Sequence, residues 1–418
     1  MCFRGIILNV KEKPLRTRRV LLLVGAGASI GYGAPSTWQL TDDIGHRLKA
    51  REWMKSSGAV EAYRQIAETL SRYLKHPKGA NFEQIYHVAH ELSAMETPGD
   101  NAVDQYRPLL APFLKRTAGL DAEACRILCD GIVDAIYGKL SECCEIAPSR
   151  LAPLGGFLRG LRENYVTRVY TTNYDDFILQ SAPDLFTGFP ASRASGPKMV
   201  DPARIWGRGD DDCVFHLHGS VHLGFAPTVN WDADLGDLYW YDERDEARRN
   251  AGFHGSDVSR MDGTGYMRTA VITGLDKLSR LQRSPMSHYY ASFARDVMSA
   301  DLLVMVGYGM GDLHLNSWIS AARRKGGAPP IVLIDKWDQP FLRASAHEWG
   351  RRETAMLHEF RINARGYAGG TKFGTGWTLA TDGESAIWDR GFDAFLDSPE
   401  EFGEALRKIG FLNTSETQ

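Results

Sequence analysis

Short apolar runs alternate with longer segments of helical periodicity along this chain, and the alternation predicts its architecture. The first run, five apolar residues at 20–24, leads directly into Gly25 and Gly27. An uninterrupted apolar run of this length is typical of a parallel strand that is covered on both faces. Further runs of strand composition lie at 166–171, 213–217, 302–306 and 331–334. Strands that alternate with helices predict an α/β protein with a doubly wound parallel sheet.

The segment between the first two predicted strands has helical periodicity instead. Apolar residues recur at helical spacing over 63–74 and 82–92, and Pro77 separates the two runs. A third periodic run covers 121–144. We interpret residues of about 38–145 as a helical insertion module in a Rossmann-like fold, although helices that only cover the sheet would give the same pattern.

The chain is less regular after its last predicted strand. Helices are expected at 341–360 and 400–409, and a glycine-rich loop or hairpin at 366–376. That loop lacks the Lys-Ser or Lys-Thr ending of a phosphate loop. We divide the sequence into a catalytic domain at 1–336 and a C-terminal extension at 337–418, whose helices and loop are candidates for oligomer or partner contacts.

Composition and charge exclude several classes of protein. The 418 residues are 43% hydrophobic and 24% charged, which is ordinary for a globular protein, and the net charge of -3 offers no overall attraction to nucleic acid. No apolar run is long enough to cross a bilayer, and the run at 20–24 is too short for a signal peptide. The six cysteines include adjacent and helix-spaced pairs typical of buried thiols. We therefore expect a cytoplasmic protein that binds neither membrane nor nucleic acid directly.

The turn after the first predicted strand is a candidate phosphate-binding loop. Gly25 and Gly27 would let backbone amides approach a pyrophosphate without a Cβ in the way. Ile30, however, stands where the dinucleotide fingerprint G-x-G-x-x-G has its third glycine. A strand-to-helix turn without a ligand would use the same glycines, so both interpretations stay open.

Polar residues follow the next two predicted strands. Asn173 and Asp175 come after the second strand, and His218 ends the third. Because the carboxyl ends of parallel strands meet at one edge, Asn173 and His218 are expected to face one cleft beside the glycine turn. Cleavage of the N-glycosidic bond of NAD+ needs a group that orients ribose and water and a base that accepts a proton, and an amide and an imidazole suit these roles. The alternatives are that Asn173 is a turn or cap residue and that His218 is structural.

Two further groups of polar residues have open interpretations. His216 and His218 lie on the same face of a strand and His222 follows closely, so a metal site is a less favoured alternative. Asp312 and His314 follow a glycine turn and could be catalytic. Asp312 would equally suit the cap of the helix that follows.

Four motifs occur in a characteristic order along the chain. They are Gly25-Ala26-Gly27-Ala28-Ser29 with Gly33-Ala34-Pro35, Thr171-Thr172-Asn173-Tyr174-Asp175, His218-Gly219, and Gly307-Tyr308-Gly309. In this order they resemble the motifs of the sirtuin family, over residues of roughly 19–336.

The resemblance implies an NAD+ site and a role for each motif. Asn173 and His218 would be catalytic, with His218 as the general base. The remaining residues that the resemblance places around NAD+ are Gly25, Ala26, Gly27, Ser29, Thr172, Asp175, Gly307, Tyr308, Gly309 and Asp335. Of these, 307–309 and Asp335 would lie near the adenosine half.

The chain also departs from the sirtuin deacylases. Ser36-Thr37-Trp38 stands where those enzymes carry Asp-Phe-Arg, and no cysteine follows His218, so we expect neither a zinc ribbon nor any bound metal. Asn81-Phe82-Glu83 and the stretch 308–312 are similar to bacterial sirtuin-like proteins of antiphage defence, which hydrolyse NAD+ to nicotinamide and ADP-ribose.

This second resemblance implies an NAD+ glycohydrolase that acts in antiviral defence by depleting NAD+. A zinc-free deacylase or ADP-ribosyltransferase is an alternative, as is a sensor that binds NAD+ or ADP-ribose without turnover. The resemblance further implies control by assembly, through a homo-oligomer and a HerA-like ATPase partner. The aromatic residues at 231–241 are a candidate contact patch.

Overall fold

The computed structural model describes most of the chain. The described residues are 17–94, 120–191, 196–207, 209–226, 237–252, 258–259, 265–266, 269–275, 277, 281, 283–337, 351–362 and 369–412. The strands are β1 (Arg19–Val24), β2 (Val166–Thr171), β3 (Cys213–His216), β4 (Leu223–Phe225), β5 (Leu238–Trp240), β6 (Val258–Ser259), β7 (Gly265–Tyr266), β8 (Leu302–Val306), β9 (Ile331–Ile334), β10 (Gly370–Phe373), β11 (Trp377–Ala380) and β12 (Ser385–Trp388).

The helices fall between these strands. They are α1 (Thr37–Ala50), α2 (Glu52–Ser56), α3 (Ala59–Leu74), α4 (Phe82–Ala94), α5 (Ala122–Cys144), α6 (Pro148–Asn164), α7 (Phe177–Ser181), α8 (Pro202–Trp206), α9 (Arg244–Arg249), α10 (Met286–Ser299), α11 (Leu313–Arg324), α12 (Arg351–Glu359), α13 (Phe392–Leu396) and α14 (Glu400–Lys408). Two 3-10 turns at 26–28 and 30–32 follow β1. No helix within the described part of the chain is both long enough and apolar enough to cross a membrane.

One large sheet carries the fold, in the strand order β10-β11-β12-β9-β8-β1-β2-β3. The strands from β3 to β12 in this order are parallel to their neighbours, whereas β11 and β10 run antiparallel. All the strands that the apolar runs predict belong to this sheet. The Rossmann-like, doubly wound α/β fold is therefore confirmed.

The centre of the sheet is buried on both faces. Leu22 of β1 lies opposite Val169 of β2 and Val304 of β8, and these side chains are at most 2% exposed. Because the chain runs from β1 to β2 on one side and later returns to β8 on the other, the strand order reverses between β1 and β8. Ligands of such sheets bind in the crevice at that reversal, beyond the carboxyl ends of the strands.

Helices α1 to α5 fill the interval that the sequence assigns to an insertion. The side chain of Asp121 accepts a hydrogen bond from the amide of Ala124 and so caps the start of α5. Ser36 and Gln39 form a reciprocal capping box at the start of α1. Helix α5 packs against α1, α3 and α4, and the buried side chains of these helices belong to the same hydrophobic core as the sheet.

The C-terminal segment also contributes to the sheet. Strand β12 is parallel to β9, with Ser385 opposite Ile331. Strand β10 lies in the predicted loop-or-hairpin region at 366–376 and pairs with β11, which begins just after that region. The predicted helix at 400–409 is present as α14. Of the predicted helix at 341–360, residues 341–350 lie outside the described residues and 351–359 form α12. The first part of the aromatic stretch at 231–241 also lies outside them. Strands β11 and β12 themselves were not predicted.

Candidate active site

The turns that follow β1 and β8 pack backbone against backbone at the reversal of strand order. The amide of Gly25 donates to the carbonyl of Val306 at 2.8 Å, and that of Gly27 donates to Gly307 at 3.0 Å. A Cβ on Gly25 would lie 2.5 Å from the Gly307 carbonyl oxygen. These glycines are therefore required for close packing. Their own amides donate hydrogen bonds to backbone carbonyls at the end of β8 and in the turn that follows it. This differs from the expectation that these amides are free to approach a pyrophosphate.

Gly307→Ala is expected to lower the free energy of unfolding by about 3 kcal/mol, because overpacking and a left-handed backbone both oppose a side chain there. Gly307 has a φ of 57°, and its Cβ would lie 2.3 Å from the amide nitrogen of Ala28. The matched control is Gly309→Ala in the same turn, where no described atom lies within 4 Å of the added Cβ. Urea denaturation of both variants measures the difference, and equal stabilities would show that the turns are not tightly packed.

A cleft of about 260 Å³ opens beside these turns, at the carboxyl ends of β1, β2, β3 and β8. The insertion forms its opposite wall through Phe82, Glu83 and Leu140, so those helices do more than cover the sheet. The predicted site residues that line the cleft are Ala26, Ser29, Thr172, Asn173, Asp175, His218, Tyr308 and Gly309. The packed turns contain Gly25, Gly27 and Gly307, which do not line the cleft.

Asn173 is fixed by three hydrogen bonds. Its side-chain Nδ2 donates to the carbonyl of Gly25 at 3.0 Å and to Ser29 Oγ at 2.9 Å. Its backbone amide donates to the hydroxyl of Thr171. Since a carbonyl only accepts, the amide orientation is determined, and Oδ1 is left as an acceptor. This buried Oδ1 has no hydrogen-bond partner among the described residues.

Asp175 lies beside Asn173 and is almost fully buried. Burial raises the pKa of its carboxyl from an ordinary 3.8 to about 6, although contact with the Ser29 hydroxyl lowers it. Ser29 therefore links the amide of Asn173 to the carboxyl of Asp175. Ionisation of this buried carboxyl group lowers the stability of the fold. Carboxyl groups with raised pKa values are common at functional sites.

Asp175→Asn is expected to stabilise the protein at pH 8 by up to about 3 kcal/mol and to have little effect near pH 4. The pKa of Asp175 is higher in the folded state than in the unfolded state. The wild type therefore has its full stability below the unfolded-state pKa and loses part of it as the pH rises through about 6. Thermal melts at both pH values measure the difference. Asp397→Asn on the exposed surface is the control. The same effect at both pH values would contradict a raised pKa.

His218 belongs to a buried network of charges. Its Nε2 lies 3.3 Å from Asp312 Oδ1, and Lys277 Nζ lies 3.0 Å from the same oxygen. Lys277 Nζ also lies 3.4 Å from Glu83 Oε1 of α4. Burial alone would raise the pKa of Asp312, but His218 and Lys277 hold it well below its usual range. Asp312 begins α11 as expected of a cap residue, yet its carboxylate makes no capping hydrogen bond.

The other two histidines of the third-strand region have different partners. His222 Nε2 lies 2.9 Å from Asp176 Oδ2, which also accepts from Arg244 Nε at 2.9 Å. His216 Nδ1 lies 3.2 Å from the backbone oxygen of Asn173, and burial lowers the pKa of His216 to about 4. The structure therefore does not gather His216, His218 and His222 into one set of metal ligands.

A different trio comes closer to a metal-binding arrangement. The ligand atoms of His218, Asp312 and His314 all lie within 4.8 Å of one another. The Lys277 ammonium, however, lies beside the Asp312 oxygen that would bind a metal ion, and its positive charge would repel that ion.

We therefore expect the purified protein to hold less than one equivalent of transition metal and to keep its thermal stability in a chelator. Elemental analysis tests this, and one bound equivalent lost by His314→Ala would contradict it.

The remaining site residues lie around this centre. Tyr308 is buried in the cleft wall, and its hydroxyl donates to Asn316 Oδ1 at 2.8 Å. Asp335 follows β9 outside the cleft lining, and its Oδ1 accepts from the amide of Lys336 at 2.8 Å. Lys277 and Glu83 were not assigned roles from the sequence. Glu83 lies in the first turn of a predicted helix, but no local pattern marks Lys277.

Comparison with known proteins gives a family match for a part of the chain that lines this cleft. Residues 167–354 match the SIR2-like domain family, a range that includes Asn173, His218 and Asp312. No curated protein matches the chain. Among solved structures, a Sir2 homolog in complex with NAD is similar at 12% identity and a TM-score of 0.36, with 76% of this chain and 77% of that chain covered.

Two further structures are similar to the same extent. One is a mutant Sir2 homologue in complex with 2'-O-acetyl ADP ribose, at 12% identity and a TM-score of 0.35, with 82% of this chain and 90% of that chain covered. The other is a Sir2 protein bound to a propionylated peptide, at 10% identity and a TM-score of 0.35, with 78% and 84% covered. The family match agrees with the resemblance in the motifs: residues 167–354 of this chain are similar to SIR2-like domains.

Proposed function

We propose that this protein is an NAD+ glycohydrolase, which cleaves NAD+ to nicotinamide and ADP-ribose. The observation that carries the proposal is that Asn173, with its unpartnered Oδ1, and His218 line one cleft and both lie in the range that matches the SIR2-like domain family. Asn173 Oδ1 is free to accept a hydrogen bond from a ligand, and His218 lies close to the Asp312 carboxylate. These groups suit a substrate that has ribose hydroxyls and a neutral base as its leaving group. NAD+ enters as the substrate.

The reaction breaks the bond between ribose C1′ and the nicotinamide nitrogen. The bonding electrons move to the pyridinium ring, nicotinamide leaves as a neutral molecule, and positive charge develops on the ribose. A water oxygen then bonds to C1′, and its proton passes to a base. Asn173 Oδ1 is suited to orient the water or a ribose hydroxyl and to stabilise the positive charge, and His218 is suited to accept the proton.

The surroundings of His218 support the role of base. Asp312 Oδ1 lies 3.3 Å from His218 Nε2 and can stabilise the imidazolium that forms when the proton arrives. Burial of His218, Asp312 and Asn173 strengthens such electrostatic interactions, because fewer water molecules compete for the same groups. These contacts support the proposed roles of Asn173 as the orienting amide and of His218 as the proton acceptor.

The direct test is incubation of the purified protein with NAD+ and quantification of nicotinamide and ADP-ribose by chromatography. We expect the two products in equal amounts without any added peptide. A protein that binds NAD+ but leaves it intact would instead be a sensor. Nicotinamide release that requires an acyl-lysine peptide would indicate the alternative deacylase, and ADP-ribose attached to protein would indicate a transferase.

The cellular role that we propose is antiviral defence by NAD+ depletion. Its support is the similarity of 81–83 and 308–312 to sirtuin-like defence proteins, together with a cleft wall formed by the insertion that carries the first of these segments. Phage infection of bacteria that express the wild type or Asn173→Ala tests the role. NAD+ loss and reduced phage yield with the wild type alone would support it, and equal phage yields would contradict it.

Control of such an enzyme is proposed to come from a homo-oligomer and a HerA-like ATPase partner. The C-terminal segment and the insertion are the proposed contact regions. Size-exclusion chromatography with light scattering, with and without the candidate ATPase, measures the assembly. A monomer that is fully active at cellular concentrations would overturn this part of the proposal.

A further inference from the structure

A second cavity lies at the same edge of the sheet as the cleft, but in the C-terminal segment. Its volume is about 400 Å³, which is within the range of cavities that bind small molecules. Three stretches form its walls: the residues that follow β9, the residues that follow β12, and the turn between β10 and β11. The described residues that line it differ from those that line the cleft, so the two cavities are separate.

Two cationic residues lie opposite each other where the chain leaves β9 and β12. Lys336 and Arg390 form an antiparallel bridge, held by backbone hydrogen bonds from the amides of Trp337 at 3.1 Å and Gly391 at 2.8 Å. Residues directly opposite in an antiparallel pair carry their side chains on the same face, where like charges destabilise the pair. The backbone therefore fixes two positive charges side by side.

The hairpin of β10 and β11 adds a third cation. Lys372 of β10 lies opposite Thr378 and lines the cavity together with Lys336 and Arg390. The stem of Arg390 packs against the hairpin turn, since a Cβ on Gly376 would lie 2.9 Å from Arg390 Cδ. Lys372 and Arg390 form no ion pair with any residue in the part of the chain that the structure describes. Both charges are thus available to a ligand.

The acidic groups nearby do not balance these charges. Asp389 is the carboxylate in the described lining, so three cations are present with one anion. Glu401 of α14 approaches the turn, but its two carboxylate oxygens accept the amide of Thr375, each at 3.0 Å. The cavity therefore has a net positive charge, which favours an anionic ligand.

Much of the remaining lining is aromatic. It includes Trp337, Phe373 and Trp377, and the rings of the last two stack with their centroids 6.0 Å apart. Trp377 is 1% exposed, and its Nε1 has no hydrogen-bond partner among the described residues. Buried indole N–H groups usually have a partner. An anionic ligand that also carries a ring suits this lining.

We propose that this cavity is a second ligand site, which binds a nucleotide through its phosphate groups. The Arg390 guanidinium can bond two phosphate oxygens at once, and the lysine ammonium groups act as point charges. The aromatic residues suit the base of the nucleotide. A nucleotide combines both features in one molecule. This inference does not depend on NAD+ cleavage, because no residue of the cavity has a role in the proposed reaction.

The test measures ADP binding to the purified protein by isothermal titration calorimetry. ADP should bind, and Arg390→Met and Lys372→Met should each weaken its binding about tenfold, as expected for the loss of one hydrogen bond to a charged group. Adenosine, which lacks the phosphates, should bind much more weakly than ADP. Lys325→Met is the matched control, because this exposed lysine after α11 lies outside the cavity lining.

Three results would overturn the inference. The first is the absence of ADP binding. The second is ADP binding that is unchanged in both Arg390→Met and Lys372→Met but lost in Asn173→Ala, which would place the ligand in the first cleft. The third is pyrophosphate binding as tight as that of ADP, which would mean that the base makes no contribution.

Thermal melts without ligand separate a binding role from a structural one. Lys372 and Arg390 are exposed, so both variants should fold. Because Arg390→Met removes one of two opposed like charges, its melting temperature should equal or exceed that of the wild type. Lower melting temperatures in both variants would indicate that these cations stabilise the fold, and would contradict the proposed site. Nicotinamide release tests the proposed function separately.

Discussion

His218→Ala is expected to reduce the rate of NAD+ cleavage by a factor of about 10²–10⁴, the usual contribution of a positioned acid-base group. The variant loses the group that accepts the proton of water, while Asp312 keeps its contact with Lys277 at 3.0 Å. Because that ion pair survives, the buried carboxylate is not left without a counter-charge. The fold should therefore persist, and the loss should appear mainly in kcat.

The comparison needs a histidine variant that is remote from the cleft. His358→Ala is suitable, since this side chain is 86% exposed on α12. Nicotinamide release should be unchanged in that variant. If His218→Ala cleaved NAD+ as fast as His358→Ala, the histidine would be a structural residue and another group would have to be the base. Thermal melts of both variants would show whether any loss reflects unfolding.

The sequence predicted the sheet because its strands are encoded by local patterns. The runs at 20–24, 302–306 and 331–334 are apolar throughout, as parallel strands buried on both faces require. Strand β12 escaped prediction because Ser385–Trp388 is a four-residue segment that follows a polar turn. Its position beside β9 depends on pairing with a distant strand, which no local pattern reveals.

The site was predictable only where it follows from topology. Asn173 and His218 were expected in one cleft because the carboxyl ends of neighbouring parallel strands meet, and the cleft contains both. The contact between Lys277 and Asp312 joins residues 35 positions apart in irregular segments, so neither periodicity nor spacing indicates it. The packing of Gly25 against Gly307 is likewise a contact between two turns that are far apart in the chain.

Asp312 shows how two local interpretations can be separated only by structure. Its position before α11 fits a capping residue, and its carbonyl does accept the amides of Leu315 and Asn316. The side chain nevertheless turns to Lys277 and His218 instead of capping the helix. The Lys277 ammonium donates a hydrogen bond to this carboxylate at 3.0 Å. Such a charge-assisted hydrogen bond stabilises a buried carboxylate more than a hydrogen bond from a neutral backbone amide would.

Asn173→Ala is expected to lower the rate of NAD+ cleavage by a factor of about 10²–10³, comparable to the loss of one preorganised polar group at a reacting centre. The variant removes Oδ1, the buried acceptor that has no partner among the described residues. It also removes the Nδ2 hydrogen bonds to Gly25 and Ser29. The carbonyl of Gly25 still accepts the amide of Ala28 at 3.0 Å, so the glycine turn keeps an internal hydrogen bond.

The stability of Asn173→Ala should accordingly fall by only about 1–2 kcal/mol, the net value of one or two hydrogen bonds. Asn164→Ala is the matched control, because this exposed asparagine at the end of α6 donates to the carbonyl of Gly160, far from any catalytic role. Steady-state kinetics and urea denaturation of both variants separate the two effects. A folded Asn173→Ala protein that cleaves NAD+ at the wild-type rate would contradict the role of this amide in orienting the substrate. Asn173 would then be a turn or cap residue only.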